Sequence, residues 1–184
     1  MNDFAMTTRR RWLCRCGAAL AAFGALGMVA CSRDGAETGT ATAADFGADA
    51  SCALDGMLLA EYAGPKGQLL VAGQSQPEWY CDTLELLNVL LNPEQVRKLR
   101  GAWVQDMGRA DWERPLGHWV DARVAHYVLG SRRMGSMGKT AASFADVAAA
   151  QAFQGQHGGR VLAFSDIRPE MVDLSGGALH DKRM

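Results

Sequence analysis

Gly64-Pro65-Lys66-Gly67-Gln68-Leu69-Leu70-Val71-Ala72, followed beyond Pro77 by Thr83-Leu84-Glu85-Leu86-Leu87-Asn88-Val89-Leu90-Leu91-Asn92-Pro93, is the stretch on which the fold of this 184-residue chain turns. The first part holds a Gly/Pro turn between two short apolar runs, residues 58–62 and 68–72, which is a hairpin pattern. In the second part Leu84, Leu87, Leu90 and Leu91 recur at helical spacing and share one face. Asn92-Pro93 stops that helix, because proline disfavours helical backbone in the residue before it. Residues 94–99 are open to a short second helix, and Ala102-Trp103-Val104 reads as a strand. The order is β-β-α-β.

The second half repeats it. Residues 119–129 alternate in strand fashion around Val120, Val124, Tyr127 and Val128, and the glycine-rich residues 130–138 turn the chain. Residues 139–142 suggest a second short strand. Ser143, with Asp146 three residues later, has the pattern of a helix N-cap, opening a helix through Phe144, Val147, Ala148, Ala152 and Phe153. His157-Gly158-Gly159 ends it, and residues 160–164 form a last strand. The expected fold is α+β, with two small tandem β-β-α-β units over residues 51–113 and 114–170 and a tail over 171–184.

The N-terminus belongs to neither unit. Arg9, Arg10, Arg11 and Arg15 precede an apolar run over residues 17–30. That run falls short of the roughly 20 residues that a membrane-spanning helix needs. A basic region, a short apolar region and small residues at its end describe a removable export signal over residues 1–30. Met28-Val29-Ala30-Cys31 resembles the lipobox of bacterial lipoproteins, with methionine where leucine is commonest, and this resemblance implies lipidation of Cys31. Thr8-Arg9-Arg10-Arg11-Trp12-Leu13 resembles a twin-arginine signal, and Sec export stays open beside it. Residues 31–50, rich in Ala, Thr, Gly and Asp without periodicity, read as a flexible tether between a membrane anchor and the folded body.

Of the 19 Lys/Arg and 20 Asp/Glu residues, four basic ones and one acidic one lie in the signal, which leaves a formal charge of about −4. That balance, with no strong polybasic patch, argues against a nucleic-acid partner. Cys14 and Cys16 leave with the signal and Cys31 takes the lipid, so Cys52 and Cys81 are the thiols that remain. In an oxidising compartment two such thiols commonly pair as a disulfide. Alternatively they are retained for a soft metal ion, for which thiolate and thioether sulfur together select Cu(I). Met57, Met107, Met134, Met137, Met171 and Met184 also remain, although methionine is equally a filler of cores.

Cys52-Ala53-Leu54-Asp55-Gly56-Met57, the Glu61–Gln68 turn, Gln105-Asp106-Met107-Gly108, His118-Trp119-Val120-Asp121-Ala122 and Gly135-Ser136-Met137-Gly138 with Ser143-Phe144 together resemble the NosL family, copper-binding accessory lipoproteins of nitrous oxide reductase. The resemblance runs from about residue 51 to 173. It implies a fold of two β-β-α-β units and a periplasmic Cu(I) chaperone. The implied partner is the membrane-associated machinery that matures the reductase's copper–sulfide centre. Many members of the family carry a second cysteine directly before Gly-Met, where this chain has Asp55, so Cys52 is the one thiolate this motif can supply.

On that basis the expected metal ligands are Cys52, Met57 and Met137, with His118 as a possible imidazole. Cys52 and Met57 stand five apart with Gly56 between them, a spacing that lets one loop present two sulfurs. Met137, flanked by Gly135 and Gly138, has few neighbouring side chains to pack against. Met107 is the weaker candidate, and Cys81, at the start of a helix, reads as a buried thiol with a second-site ligand as its alternative. No serine–histidine–acid order, carboxylate pair or phosphate loop emerges, so the expectation is a non-enzyme. The competing expectation is a copper-free structural or thiol-redox lipoprotein with a Cys52–Cys81 disulfide.

Overall fold

The computed structural model describes residues 41–174. The export signal, the first half of the tether with Cys31, and residues 175–184, with Met184, lie outside the described residues. Among the described residues no helix is long and apolar enough to cross a membrane.

Strands β1 (Gly67–Val71), β2 (Glu78–Tyr80), β3 (Leu99–Gln105) and β4 (Trp119–Asp121) form an antiparallel sheet in the order β2-β1-β3-β4. Helix α1 (Thr83–Leu91) connects β2 to β3. Strands β5 (His126–Leu129), β8 (Ala142–Phe144) and β9 (Arg160–Ala163) form a second antiparallel sheet in the order β8-β5-β9, and α2 (Val147–His157) connects β8 to β9. Between β5 and β8 stands a two-stranded hairpin, β6 (Met134–Gly135) with β7 (Gly138–Lys139). In each sheet the first strand of the unit is central, flanked by the second strand and by the one that follows the helix. The α+β fold with two β-β-α-β units is therefore present, and both units have the same topology.

Several boundaries differ from the sequence expectation. Residues 58–62 are no strand; Leu59–Glu61 is a single 3₁₀ turn, and the hairpin runs from β1 to β2. Leu59 is fully buried against Cys52 and Cys81, so the apolar run serves a local cluster rather than a ladder. Residues 94–98 form no helix, since the Asn92 side chain accepts the Glu94 N–H (2.9 Å) and its carbonyl the Gln95 N–H (3.0 Å) in a turn. The expected strand over 119–129 is two, because residues 122–125 turn away. Its first part, β4, pairs with β3. Ser143 is a strand residue whose hydroxyl donates to the Gln105 carbonyl (2.6 Å), and Asp146 is the N-cap, accepting the Ala148 N–H at 3.1 Å. In the expected tether, Ala44 exchanges two hydrogen bonds with the Gln68 side chain and Phe46 packs edge-on against Trp79. One aromatic ring in an otherwise small-residue stretch is what docks it.

One core serves both sheets: Leu69, Leu86 and Val104 from the first unit and Ala125, Tyr127 and Ala141 from the second are buried in a single cluster. On α1 the fully buried leucines are Leu86 and Leu87, with Leu84, Leu90 and Leu91 half-buried around them. A smaller cluster of Val128, Ala142, Phe144 and Ala150 lies beneath α2, with Met107 and Trp112 packed against it.

Gln105-Asp106-Met107-Gly108 joins the two sheets. The Gln105 carboxamide oxygen accepts the Lys66 N–H (3.0 Å), and Asp106 Oδ1 accepts the N–H groups of Gly108 (3.0 Å) and Ala145 (3.1 Å). The Met107 N–H donates to the Ser143 carbonyl. Replacing Asp106 by Ala removes two part-buried hydrogen bonds, each worth about 0.5–1.5 kcal/mol net. Urea unfolding of Asp106→Ala should therefore show a lowered midpoint with an unchanged slope. A midpoint equal to wild type would show that Asp106 does not tie the sheets.

Candidate metal centre

The Cys52–Met57 loop is held shut by its own backbone. The Cys52 N–H donates to the Met57 carbonyl (2.8 Å) and the Gly56 N–H to the Cys52 carbonyl (2.9 Å), while Asp55 Oδ1 accepts the Met57 N–H (2.9 Å). Gly56 sits at φ +78°, a left-handed conformation that glycine adopts without strain. The loop is joined to the edge of the first sheet by a bridge between Cys52 and Trp79 and by the Ala53 N–H donating to the Trp79 carbonyl (2.7 Å). Two residues after Trp79 comes Cys81, so edge pairing brings the second thiol beside the first.

Cys81 directly precedes the N-cap of α1. Asp82 accepts the Leu84 N–H (2.8 Å), and Glu85 reaches back to the Asp82 N–H (3.3 Å), a reciprocal capping box. The box fixes the Glu85 carboxylate where both thiols donate to its Oε2, Cys52 at 3.3 Å and Cys81 at 3.3 Å. Asp55 Oδ2 stands 3.8 Å from the Cys81 sulfur. The candidate ligand atoms of Cys52, Asp55, Cys81 and Glu85 all lie within 4.8 Å of one another. Cys52, Cys81 and Glu85 are buried and Asp55 is exposed, so the group has a covered side and an open side.

The two sulfurs are not bonded to each other, and such close thiols titrate as a pair. Interaction with the Cys81 thiol lowers the pKa of Cys52, and the same interaction, with burial, holds Cys81 well above the ordinary thiol range. Behind them Lys66 is fully buried, its ammonium donating to the carbonyls of Ala63 (3.1 Å) and Cys81 (3.0 Å). Burial lowers the Lys66 pKa, opposed by the charges of Asp82, Cys81, Glu85 and Cys52. Burial also pushes the Asp82 carboxyl up to about 7, against its bonds from Leu84 N–H and Thr140 Oγ1 (2.8 Å).

The β6–β7 hairpin closes over this junction. The Ser136 hydroxyl donates to the Cys81 carbonyl, and Gly135 lies so close to Asp82 that an added Cβ would stand 2.2 Å from Oδ2. Met137, 44% exposed, is the next residue along. Met57 is half-buried against the cluster of Cys52, Leu59 and Cys81. Cys52, Met57 and the Met137 hairpin are thus brought to one region. His118 stands apart from the four-residue group: it is exposed at the entry to β4, at φ 55°, its carbonyl accepting the Asp106 N–H.

Sequence reasoning brought Cys81 beside Cys52 only in the alternative of a disulfide and not as a co-ligand, and it passed over Glu85, Asp55 and Lys66 as neighbours of the site. The Asp82-x-x-Glu85 pattern is a capping-box signal that could have placed Glu85 near the helix start. The pairing of residue 52 with 79 is a tertiary contact that no local periodicity announces.

Two thiols and a carboxylate with thioethers alongside form a donor set suited to a soft, low-charge ion. The NosL family profile matches residues 43–172. The chain belongs to the NosL family. Its relatives include the copper-binding lipoprotein NosL of Stutzerimonas stutzeri, 39% identical over 135 residues, which are 71% of this chain and 70% of that protein. The copper-binding lipoprotein NosL of Achromobacter cycloclastes is 38% identical over 120 residues, 63% of this chain and 62% of that one. The crystal structure of the copper chaperone NosL from Shewanella denitrificans matches with a TM-score of 0.66 at 34% identity, covering 72% of this chain and 98% of that one. All the cluster residues, together with Met57, Met137 and His118, fall within the part that matches the NosL profile.

The contact between Gly135 and Asp82 gives a test of the hairpin's docking. Gly135→Ala should lower stability by about 1–3 kcal/mol, the usual cost of overpacking. Gly155→Ala, in α2 with nothing within 4 Å of the added Cβ, should instead raise it by about 0.5–1 kcal/mol, because alanine favours helix. Denaturant melts of the two variants should move in opposite directions. A neutral Gly135→Ala would mean that the hairpin does not rest on Asp82.

Proposed function

We propose that this protein is an exported copper(I) chaperone, anchored to the membrane through lipidated Cys31 and delivering Cu(I) to the machinery that matures nitrous oxide reductase. The observation that carries the reading is the pair of buried thiols on one Glu85 oxygen, with Met57 packed against them and the exposed Met137 hairpin alongside. Cu(I) is the cargo. Thiolate charge from Cys52 and Cys81 supplies most of the affinity, and the thioethers of Met57 and Met137 hold the ion on the open side. Thioether bonds are weaker than thiolate bonds, so an acceptor's sulfur or imidazole replaces them first. Membership in the NosL family, with relatives named as copper-binding lipoproteins and a solved copper chaperone among the matches, supports the cargo and the anchor.

The competing reading, a copper-free protein with a Cys52–Cys81 disulfide, draws on the same proximity. Thiol counting and anaerobic Cu(I) titration of the processed protein, which has lost Cys14 and Cys16 and carries lipid on Cys31, against a chromophoric chelator separate the two. The chaperone requires two titratable thiols and one Cu(I) per chain. Cys52→Ser and Cys81→Ser should each weaken binding by more than about tenfold, since each removes a thiolate from a soft-ion site. Met137→Ala should weaken it less and leave the metal-free melting temperature nearly unchanged. A stable disulfide with no copper uptake would establish the competing reading. Full Cu(I) affinity in Cys81→Ser would remove Cys81 from the ligand set.

A further inference from the structure

Lys66 is the residue of this region that ligand chemistry does not use. It is fully buried, and its ammonium makes its hydrogen bonds to two main-chain carbonyls, those of Ala63 and Cys81. A buried cation is costly unless opposite charge surrounds it. Here Asp82 supplies the largest share of that charge, and the candidate ligands Cys81, Glu85 and Cys52 add to it, against a burial that lowers the lysine's pKa. The chain also holds the cation in place. Lys66 lies directly before β1, its N–H donates to Gln105, and its Nζ is bonded to the carbonyl of a candidate ligand residue.

We propose that Lys66 is the specificity-determining residue of the site, a fixed buried cation that favours a monovalent soft ion over a divalent one. The inference rests on the copper reading above and deepens it. Two thiolates with one Cu(I) keep a residual negative charge, which Lys66 offsets. A divalent ion on the same thiolates brings one more unit of positive charge into the field of Lys66 and is repelled by that extra unit. Two thiolates and a carboxylate are otherwise a good Zn(II) site, so ligand identity alone does not provide the discrimination. Coulomb energy at short range in a partly buried site makes one unit charge worth about tenfold or more in affinity.

The test is a pair of affinities for each of three processed proteins, without Cys14 and Cys16 and with Cys31 lipidated: wild type, Lys66→Met and Lys66→Gln. Cu(I) and Zn(II) are each titrated anaerobically against a competing chelator. Lys66→Met keeps the length of the side chain, and Lys66→Gln keeps donors for the carbonyls, so one of them serves if the other fails to fold. In the folded variant the preference for Cu(I) over Zn(II) should fall by at least about tenfold, with Zn(II) affinity rising in absolute terms. A purely structural lysine would weaken both ions together and leave the ratio alone. An unchanged ratio, with Cu(I) still bound by wild type, overturns the proposal for Lys66 and leaves the copper reading standing. A wild type that takes up no Cu(I) overturns both.

Discussion

The carbonyl and side chain of Cys81, at the entry to α1, form the joint on which the rest of the described structure hangs. The carbonyl accepts the buried ammonium of Lys66 from the first unit and the hydroxyl of Ser136 from the second. One residue on, Asp82 caps the helix and accepts the Thr140 hydroxyl, again from the second unit. Four polar side chains therefore converge on one helix start, which already gathers partial positive charge from its free N–H groups. Acidic groups are stabilised there, and the thiol of Cys81 faces Glu85, held by the capping box. The same bonds that end β2 and begin α1 assemble the candidate ligands.

Asp82 shows the cost of that arrangement. Its Oδ2 is buried without a hydrogen-bond partner, and burial raises its pKa to about 7. An unpaired buried carboxylate oxygen destabilises the fold unless its surroundings compensate. Thr140, the Leu84 N–H and the nearby Lys66 provide part of that compensation. The close fit of Gly135 over the same oxygen leaves no room for a side chain there. Features that look unfavourable one at a time are thus concentrated at one junction, next to the thiols.

The parts of the fold legible in the sequence were those with local causes. α1 begins and ends as its leucine spacing and Asn92-Pro93 require, and Gly158 closes α2. The β-β-α-β order of each unit was legible too. What failed were positions where tertiary contact outweighed a local pattern. Residues 58–62 carry a strand-like apolar run, yet Leu59 fills the thiol cluster from a 3₁₀ turn. Ser143 has the composition of a cap, but its hydroxyl is taken by the Gln105 carbonyl across the sheets, so the cap moves three residues on to Asp146. Cys52 and Met57 were legible as a pair because one short loop presents both. Cys81 entered as the partner of an alternative disulfide and not as a co-ligand, since its approach to Cys52 depends on a bridge between Cys52 and Trp79, 27 residues apart in sequence.

The two halves of the ligand group are supported unequally, and that bears on how an ion would leave. Cys81 and Glu85 are anchored by the capping box at the start of a helix whose Leu86 and Leu87 lie in the shared core. Displacing them means displacing the core. Cys52, Asp55 and Met57 sit on a loop closed on itself by the isolated bridge Ser51–Leu58 and attached to the sheet edge by the isolated bridge Cys52–Trp79. Regions with few buried contacts open at a fraction of the global unfolding free energy. Local opening therefore costs less on the Cys52 side than on the Cys81 side. Leu54 on that loop is half exposed, as is Met137 opposite, so the side that opens most easily also presents apolar surface. In the proposed chaperone the buried thiol with its lysine keeps the ion's charge balanced, while the loop thiol and the exposed thioether yield to the acceptor.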